Sequence, residues 1–204
     1  MAEGIVDQTD EIVELKISRG RVDVQLSKEL PMGKTRIIST ECRSGERKIP
    51  PQVWMKLKKQ IPHVRFTSQT IMESIKNLNS SAEIYRRTGG THAAALMDEQ
   101  GRILTISEDI SRHSAVDKVI GKAVLRGLDF KEIFLASTGR ITSDIVIKAA
   151  NVGIPVIVSI SAPTDKGIKL SKVMGLTLIG FARGKRFNIY THPERIILPK
   201  NSAD

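Results

Sequence analysis

Two places in this chain carry side chains suited to chemistry. Cys42, the single cysteine, sits among Arg43, Arg47 and Lys48, with Ser44 and Gly45 forming a turn beside it. Nearby cations favour thiolate over thiol, which makes a cysteine nucleophilic; an inert loop cysteine is the alternative reading. The second place runs from Thr88 to Arg140. It sets Gly89-Gly90, two histidines (His92 and His113), the acidic pair Glu108-Asp109 and a Ser137-Thr138-Gly139-Arg140 turn between apolar runs. Paired glycines suit a positive φ or a close approach of backbone to ligand, although most such pairs are only turns. His113 falls in the first turn of a predicted helix, where the dipole disfavours imidazolium and a neutral ring is expected. Asp117, four residues on, shares its face and is expected to orient the ring; a capping or core histidine is the plainer reading.

These residues need elements to hold them. His92–Met97 and Arg102–Ile106 flank Asp98-Glu99-Gln100-Gly101, a hairpin signal. Ser111–Arg126 reads as a helix with Ala115, Val116, Val119, Ile120, Ala123 and Val124 as its buried stripe, stopped by Gly127. Glu132–Ala136 and Pro155–Ile160 are apolar strands of the kind buried on both faces. Helices over Thr142–Val152 and Pro163–Met174 follow them, and residues 176–182 and 186–192 finish as strands. This order predicts βαβ crossovers and a mostly parallel sheet between helices. Ligands of such sheets bind beyond the carboxyl ends of the strands. Three junctions of that kind occur, at residues 107–113, 137–143 and 161–167, each rich in Ser, Thr or Gly at a helix N-terminus. With Arg112 and Arg140 added, they predict an anion or nucleotide pocket. Upstream, residues 11–40 read as three short strands and 53–61 as a helix with Val53, Trp54, Leu57 and Ile61 on one face. A further helix begins at Thr67 or Ser68 and carries Ile71, Met72, Ile75 and Leu78. The expected division is a small strand and helix region over residues 1–82 and an α/β body over 83–204.

Composition narrows the partners. Thirty-two basic residues against 22 acidic ones give a net charge of +10, which favours an anionic partner. The basic residues are dispersed, and aromatics make up only 4% of the chain, so stacking platforms for a nucleic acid are scarce. One cysteine excludes an intramolecular disulfide and a multi-thiolate zinc site, and no tightly bound metal is expected. His113 is followed by Ser114-Ala115, so the H-x-E of zinc deaminases is missing, as are a P-loop and a G-x-G-x-x-G fingerprint. No apolar run is long enough to span a bilayer, and the acidic N-terminus lacks the apolar core of a secretory signal. The reading is a cytoplasmic protein without a membrane partner.

The blocks TGGTHAAAL (88–96), EDISRHSAVDKVIG (108–121), STGRITSDIVIKAA (137–150), SAPT (161–164) and GFARGKRFNIYTH (180–192) resemble, in order, those of the formate dehydrogenase accessory sulfurtransferases, FdhD. The resemblance implies a three-layer α/β/α sandwich similar to cytidine deaminase, with a mixed sheet. It implies a sulfur carrier that takes sulfane sulfur from a cysteine desulfurase as a cysteine persulfide. The sulfur then passes to the molybdenum cofactor in its bis-guanine-dinucleotide form, a bound substrate, for maturation of formate dehydrogenase; a homodimer is also implied. The family's persulfide loop often reads C-x-x-C. Here STECRSG (39–45) keeps one Cys and places Gly45 where the second would stand, so Cys42 is the expected catalytic residue. The family's cofactor segment matches Phe181, Ala182, Arg183, Gly184, Lys185 and Arg186, and the strands before residue 11 look shortened. Gly89, Gly90, His113, Ser137 and Arg140 are expected to line the cofactor floor. The competing reading is a molybdenum cofactor or nucleotide chaperone in which Cys42 is idle.

Overall fold

The computed structural model describes residues 1–2, 5–6, 8–28 and 62–199. The strand expected at 35–40, the Cys42 loop and the helix expected at 53–61 lie outside the described residues. The chain contains β1 (Ile12–Ser18), β2 (Arg21–Leu26), β3 (Phe66–Thr67), α1 (Ser68–Ser81), α2 (Glu83–Thr88), β4 (His92–Met97), β5 (Ile103–Asp109), α3 (Arg112–Leu125), β6 (Phe134–Ser137), α4 (Ser143–Val152), β7 (Val156–Ser159), α5 (Asp165–Met174), β8 (Thr177–Arg183), β9 (Arg186–Thr191) and β10 (Ile196–Ile197). No helix among the described residues is long and apolar enough to cross a membrane.

A six-stranded mixed sheet in the order β5-β4-β6-β7-β8-β9 forms the middle layer. Strand alternation sorts its side chains to two faces. Ala94, Leu96, Leu135, Ile157 and Leu178 join the buried stripes of α3, α4 and α5. Ala93, Ala95, Met97, Phe134, Ala136, Val156, Val158 and Ile179 pack instead with Phe66, Ile71, Ile75 and Leu78 from β3 and α1. The result is the expected α/β/α sandwich. Residues 66–81, which precede the 82/83 division, supply its second helical layer.

The sheet is mixed, as the family resemblance implies, and not mostly parallel as the element order alone suggests. β6·β7 and β7·β8 are parallel, whereas β4·β5, β4·β6 and β8·β9 are antiparallel. An unbroken apolar run reports burial on both faces; it carries no information on which way the neighbouring strand runs. The helix starts were legible because their caps are local. Thr67, Ser111 and Thr164 each cap through a side-chain oxygen that accepts a backbone N–H of the first turn. α2 was missed: it is a single six-residue segment with no apolar stripe, closed by Gly89 in the left-handed conformation.

β1 and β2 form an antiparallel ribbon in which Leu15 opposes Val24 and Ile17 opposes Val22. The expected alternation of Val22 and Val24 is present, but these four apolar side chains are exposed.

Candidate functional site

The strand directions bring the three predicted junctions to one rim. Across β4 the register pairs His92 with Asp109 of β5 and Ala94 with Ser137 of β6, while Ser137 pairs with Ser159 of β7. The start of β4 therefore lies beside the carboxyl ends of β5, β6 and β7. A hydroxyl lattice knits these ends together. Ser159 Oγ donates to the Gly139 carbonyl at 2.7 Å, Ser161 Oγ to the Thr138 carbonyl at 2.8 Å, and the Gly139 N–H to Ser137 Oγ at 3.1 Å. Ser137 is thus buried and structural at its hydroxyl, holding the loop that presents Arg140.

Arg112 enters the rim from the first turn of α3 and is buried. Gly139 lies flat against it; a Cβ at that position would stand 2.6 Å from Arg112 Cβ. His92 Nδ1 is 3.4 Å from Thr138 Oγ1, which also accepts the Ala93 N–H at 2.9 Å. Burial, followed by the charges of Arg112 and Arg140, holds the His92 imidazole below its ordinary pKa. His113 is lowered in the same way, by burial first and then Arg112. Both rings are therefore neutral near pH 7, as the helix dipole argument anticipated for His113.

Asp117 does not orient His113 as expected. The His113 Nε2 faces Thr142 Oγ1 at 3.2 Å, and the Asp117 carboxylate takes Lys148 Nζ at 2.5 Å. The physical reason is Lys148, a buried ammonium inside an otherwise apolar helix, which makes the stronger claim on the carboxylate. Two bonds therefore clamp the first half of α3 to the N-cap and middle of α4, the helices that carry Arg112 and follow Arg140. Replacing Asp117 by Asn removes a charged acceptor of a buried ammonium and is expected to lower stability by about 2 kcal/mol, read as a lower urea midpoint at unchanged slope.

The Phe181–Arg186 segment is divided. The Phe181 N–H donates to the Ser161 carbonyl at 3.1 Å and Arg183 Nε to the Ile160 carbonyl at 3.2 Å, which seats the end of β8 on the same rim. Phe181 has φ +53° and is 42% exposed. A non-glycine residue there costs on the order of 1 kcal/mol, retained where the surroundings demand it. An exposed aromatic ring so held is suited to stack on a planar ligand. Ala182 points the other way, into the core under α1. Gly184, with φ +57°, makes the β8–β9 turn. With Lys185 it lines a separate cleft of about 830 Å³ against Met72, Lys76 and Arg86 of α1 and α2. Arg186 lines a neighbouring depression.

Gly89 and Gly90 precede His92 at the rim. Gly89 needs its positive φ to close α2, and the Gly90 N–H is held by Thr88 Oγ1 at 3.0 Å. Their local conformation is thus accounted for by the helix end. Cys42 lies outside the described residues. Among the described residues no group of three or more His, Cys, Asp or Glu is placed to hold a metal ion. His92, Thr138 and Ser161 lie in stretches the sequence marks out, but the sequence assigns none of them a role at the cofactor floor. The registers of β4 against β6 and of β6 against β7 bring them together, His92 against Thr138 and Ser161 against the Thr138 carbonyl.

A family model described as the FdhD/NarQ family matches residues 1–197. The chain is 39% identical over 202 residues to the sulfur carrier protein FdhD of Methanothermobacter thermautotrophicus, covering 97% of this chain and 77% of that one. It is 47% identical over 133 residues to the protein of the same description from Sulfolobus acidocaldarius, covering 65% of this chain and 53% of the other. The Bacillus subtilis counterpart is 34% identical over 161 residues, 79% of this chain and 61% of that protein. A crystal structure of a formate dehydrogenase accessory protein from Desulfotalea psychrophila superposes with a TM-score of 0.77 at 29% identity, over 96% of this chain and 75% of that one.

Proposed function

Because this chain belongs to the FdhD/NarQ family, we propose that it is a sulfur carrier for the maturation of formate dehydrogenase. In this reading the Cys42 thiolate attacks the terminal sulfur of a cysteine desulfurase persulfide. The desulfurase S–S bond breaks and its thiolate leaves, while a new S–S bond forms on Cys42; no net oxidation occurs. The acceptor is the molybdenum cofactor in its bis-guanine-dinucleotide form, held as substrate at the rim. The observation that carries the reading is the joint presence of family membership and a rim suited to this substrate. Arg112 and Arg140 suit its phosphates, the exposed Phe181 suits a guanine ring, and Arg183 stands beside Phe181. Lys185 and Arg186, facing the α1 side, would meet a portion of the ligand that wraps the turn.

Two experiments bear on the two halves of this reading. In a host lacking its own accessory protein, expression of this chain should restore formate dehydrogenase activity; unchanged inactivity with soluble protein present would discard the client assignment. For the rim, GDP serves as a probe of the guanine nucleotide end. Arg140→Ala should weaken its binding by roughly tenfold to a hundredfold, the scale of one charge-assisted hydrogen bond. The variant should also flatten the dependence of affinity on salt. Affinity within twofold of the parent would remove Arg140 from the site.

A further inference from the structure

At the rim a neutral imidazole lies in the field of two guanidinium groups and is tied to the loop that carries one of them. His92 opens β4, and its ring is tied through Thr138 to the 137–140 loop. Gly139 of that loop rests on Arg112, and Arg140 follows it. The charged groups around the ring come from three elements: Arg112 on α3, Arg140 after β6, and Asp109 opposite on β5. The Asp109 carboxylate is already held by Lys118 Nζ at 2.5 Å and by the Ser111 N–H at 2.9 Å. It therefore offsets Lys118 more than it offsets the two arginines. His113 differs, since Asp144 and Asp117 stand near it and partly oppose Arg112 and Lys148.

Resting on the rim as the ligand site, we propose that binding of a diphosphate-bearing ligand at Arg112 and Arg140 is coupled to uptake of a proton by His92. Burial lowers the ring first and the Arg112 and Arg140 charges add to it; a ligand carrying two negative charges cancels the second contribution and supplies an oxygen acceptor for an imidazolium N–H. The proton comes from solvent, and no bond other than N–H is made. In the free protein His92 titrates below the ordinary histidine value; in the complex it titrates higher. Between those two values the complex holds more protons than the free protein, so affinity falls as pH rises through the window. The slope is up to about tenfold per pH unit for one linked proton.

The test is calorimetric titration of the full chain with GDP-mannose, whose doubly esterified diphosphate does not itself titrate near neutral pH. Runs in buffers of different ionisation enthalpy should show net proton uptake, and affinity should weaken toward alkaline pH. His92→Gln should abolish both the uptake and the pH dependence, while His192→Gln, beyond the end of β9 at the edge opposite the rim, retains them. Binding without buffer dependence, or uptake that survives His92→Gln, overturns the coupling while leaving the rim as a nucleotide site. Absence of binding at every pH removes the rim from the proposed function, and the coupling with it.

Discussion

Cys42→Ala is expected to abolish acceptance of labelled sulfur from a cysteine desulfurase and, with it, rescue of formate dehydrogenase. Cys42 is the single cysteine of the chain, so no second thiol can resolve or replace a lost persulfide. A serine hydroxyl at the same position would not help, because its oxygen is far less acidic and less nucleophilic than the thiol. Arg43, Arg47 and Lys48 stand close to Cys42 in the sequence, and cations near a thiol favour its thiolate. GDP affinity of the variant should stay close to the parent's, since the rim is built from β4, β6, β7, β8 and α3 and includes no sulfur. The decisive measurement is mass spectrometry of the protein after incubation with desulfurase and labelled cysteine. An unlabelled Cys42 in the parent, against a control carrier that does take label, would end the carrier reading. Full rescue by Cys42→Ala would favour the chaperone alternative, in which the rim acts and the thiol is idle.

The second large effect is on the fold. Phe134→Ala is expected to lower stability by about 3–5 kcal/mol, a large share of the roughly 5–15 kcal/mol typical of a domain. Phe134 is fully buried at the start of β6, and its ring meets Phe66 edge-on at a centroid distance of 4.8 Å. That contact fastens β3, and through it the start of α1, to the second face of the sheet. Truncation opens a cavity that α1 cannot fill without breaking Thr70 and Asn77 from the hairpin turn, where they bond the Glu99 and Gly101 carbonyls at 3.1 and 2.8 Å. Denaturant unfolding should show a strongly reduced midpoint. A loss below about 1 kcal/mol, the scale of a surface change, would mean that the β3–α1 layer is not bound to the sheet as described. Phe66→Ala should behave similarly, and the double variant should lose less than the sum, because the two rings share one contact.

Much of this protein was open to reading from the chain alone, and the reason is locality. Helices α1, α3, α4 and α5 announce themselves through caps and apolar spacing within a dozen residues, and the glycines at 127 and 153 end two of them at once. The rim was also visible in outline: three strand–helix junctions, each with hydroxyl residues, must lie on one edge if their strands run in the same direction. The block order was sufficient for the family as well. Tertiary structure alone decided three things. It set the directions of β6 against β4 and of β9 against β8, since an apolar run is the same whether its neighbour is parallel or antiparallel. It chose partners for polar groups: Lys148, buried in α4, takes Asp117 across to α3, and His113 is left to Thr142. It also placed His92 against Thr138 and within the field of Arg112 and Arg140, residues separated by up to 48 positions in the chain. Side chains that far apart meet only through sheet register, which depends on the energy of the whole packed sheet and not on any short stretch of it.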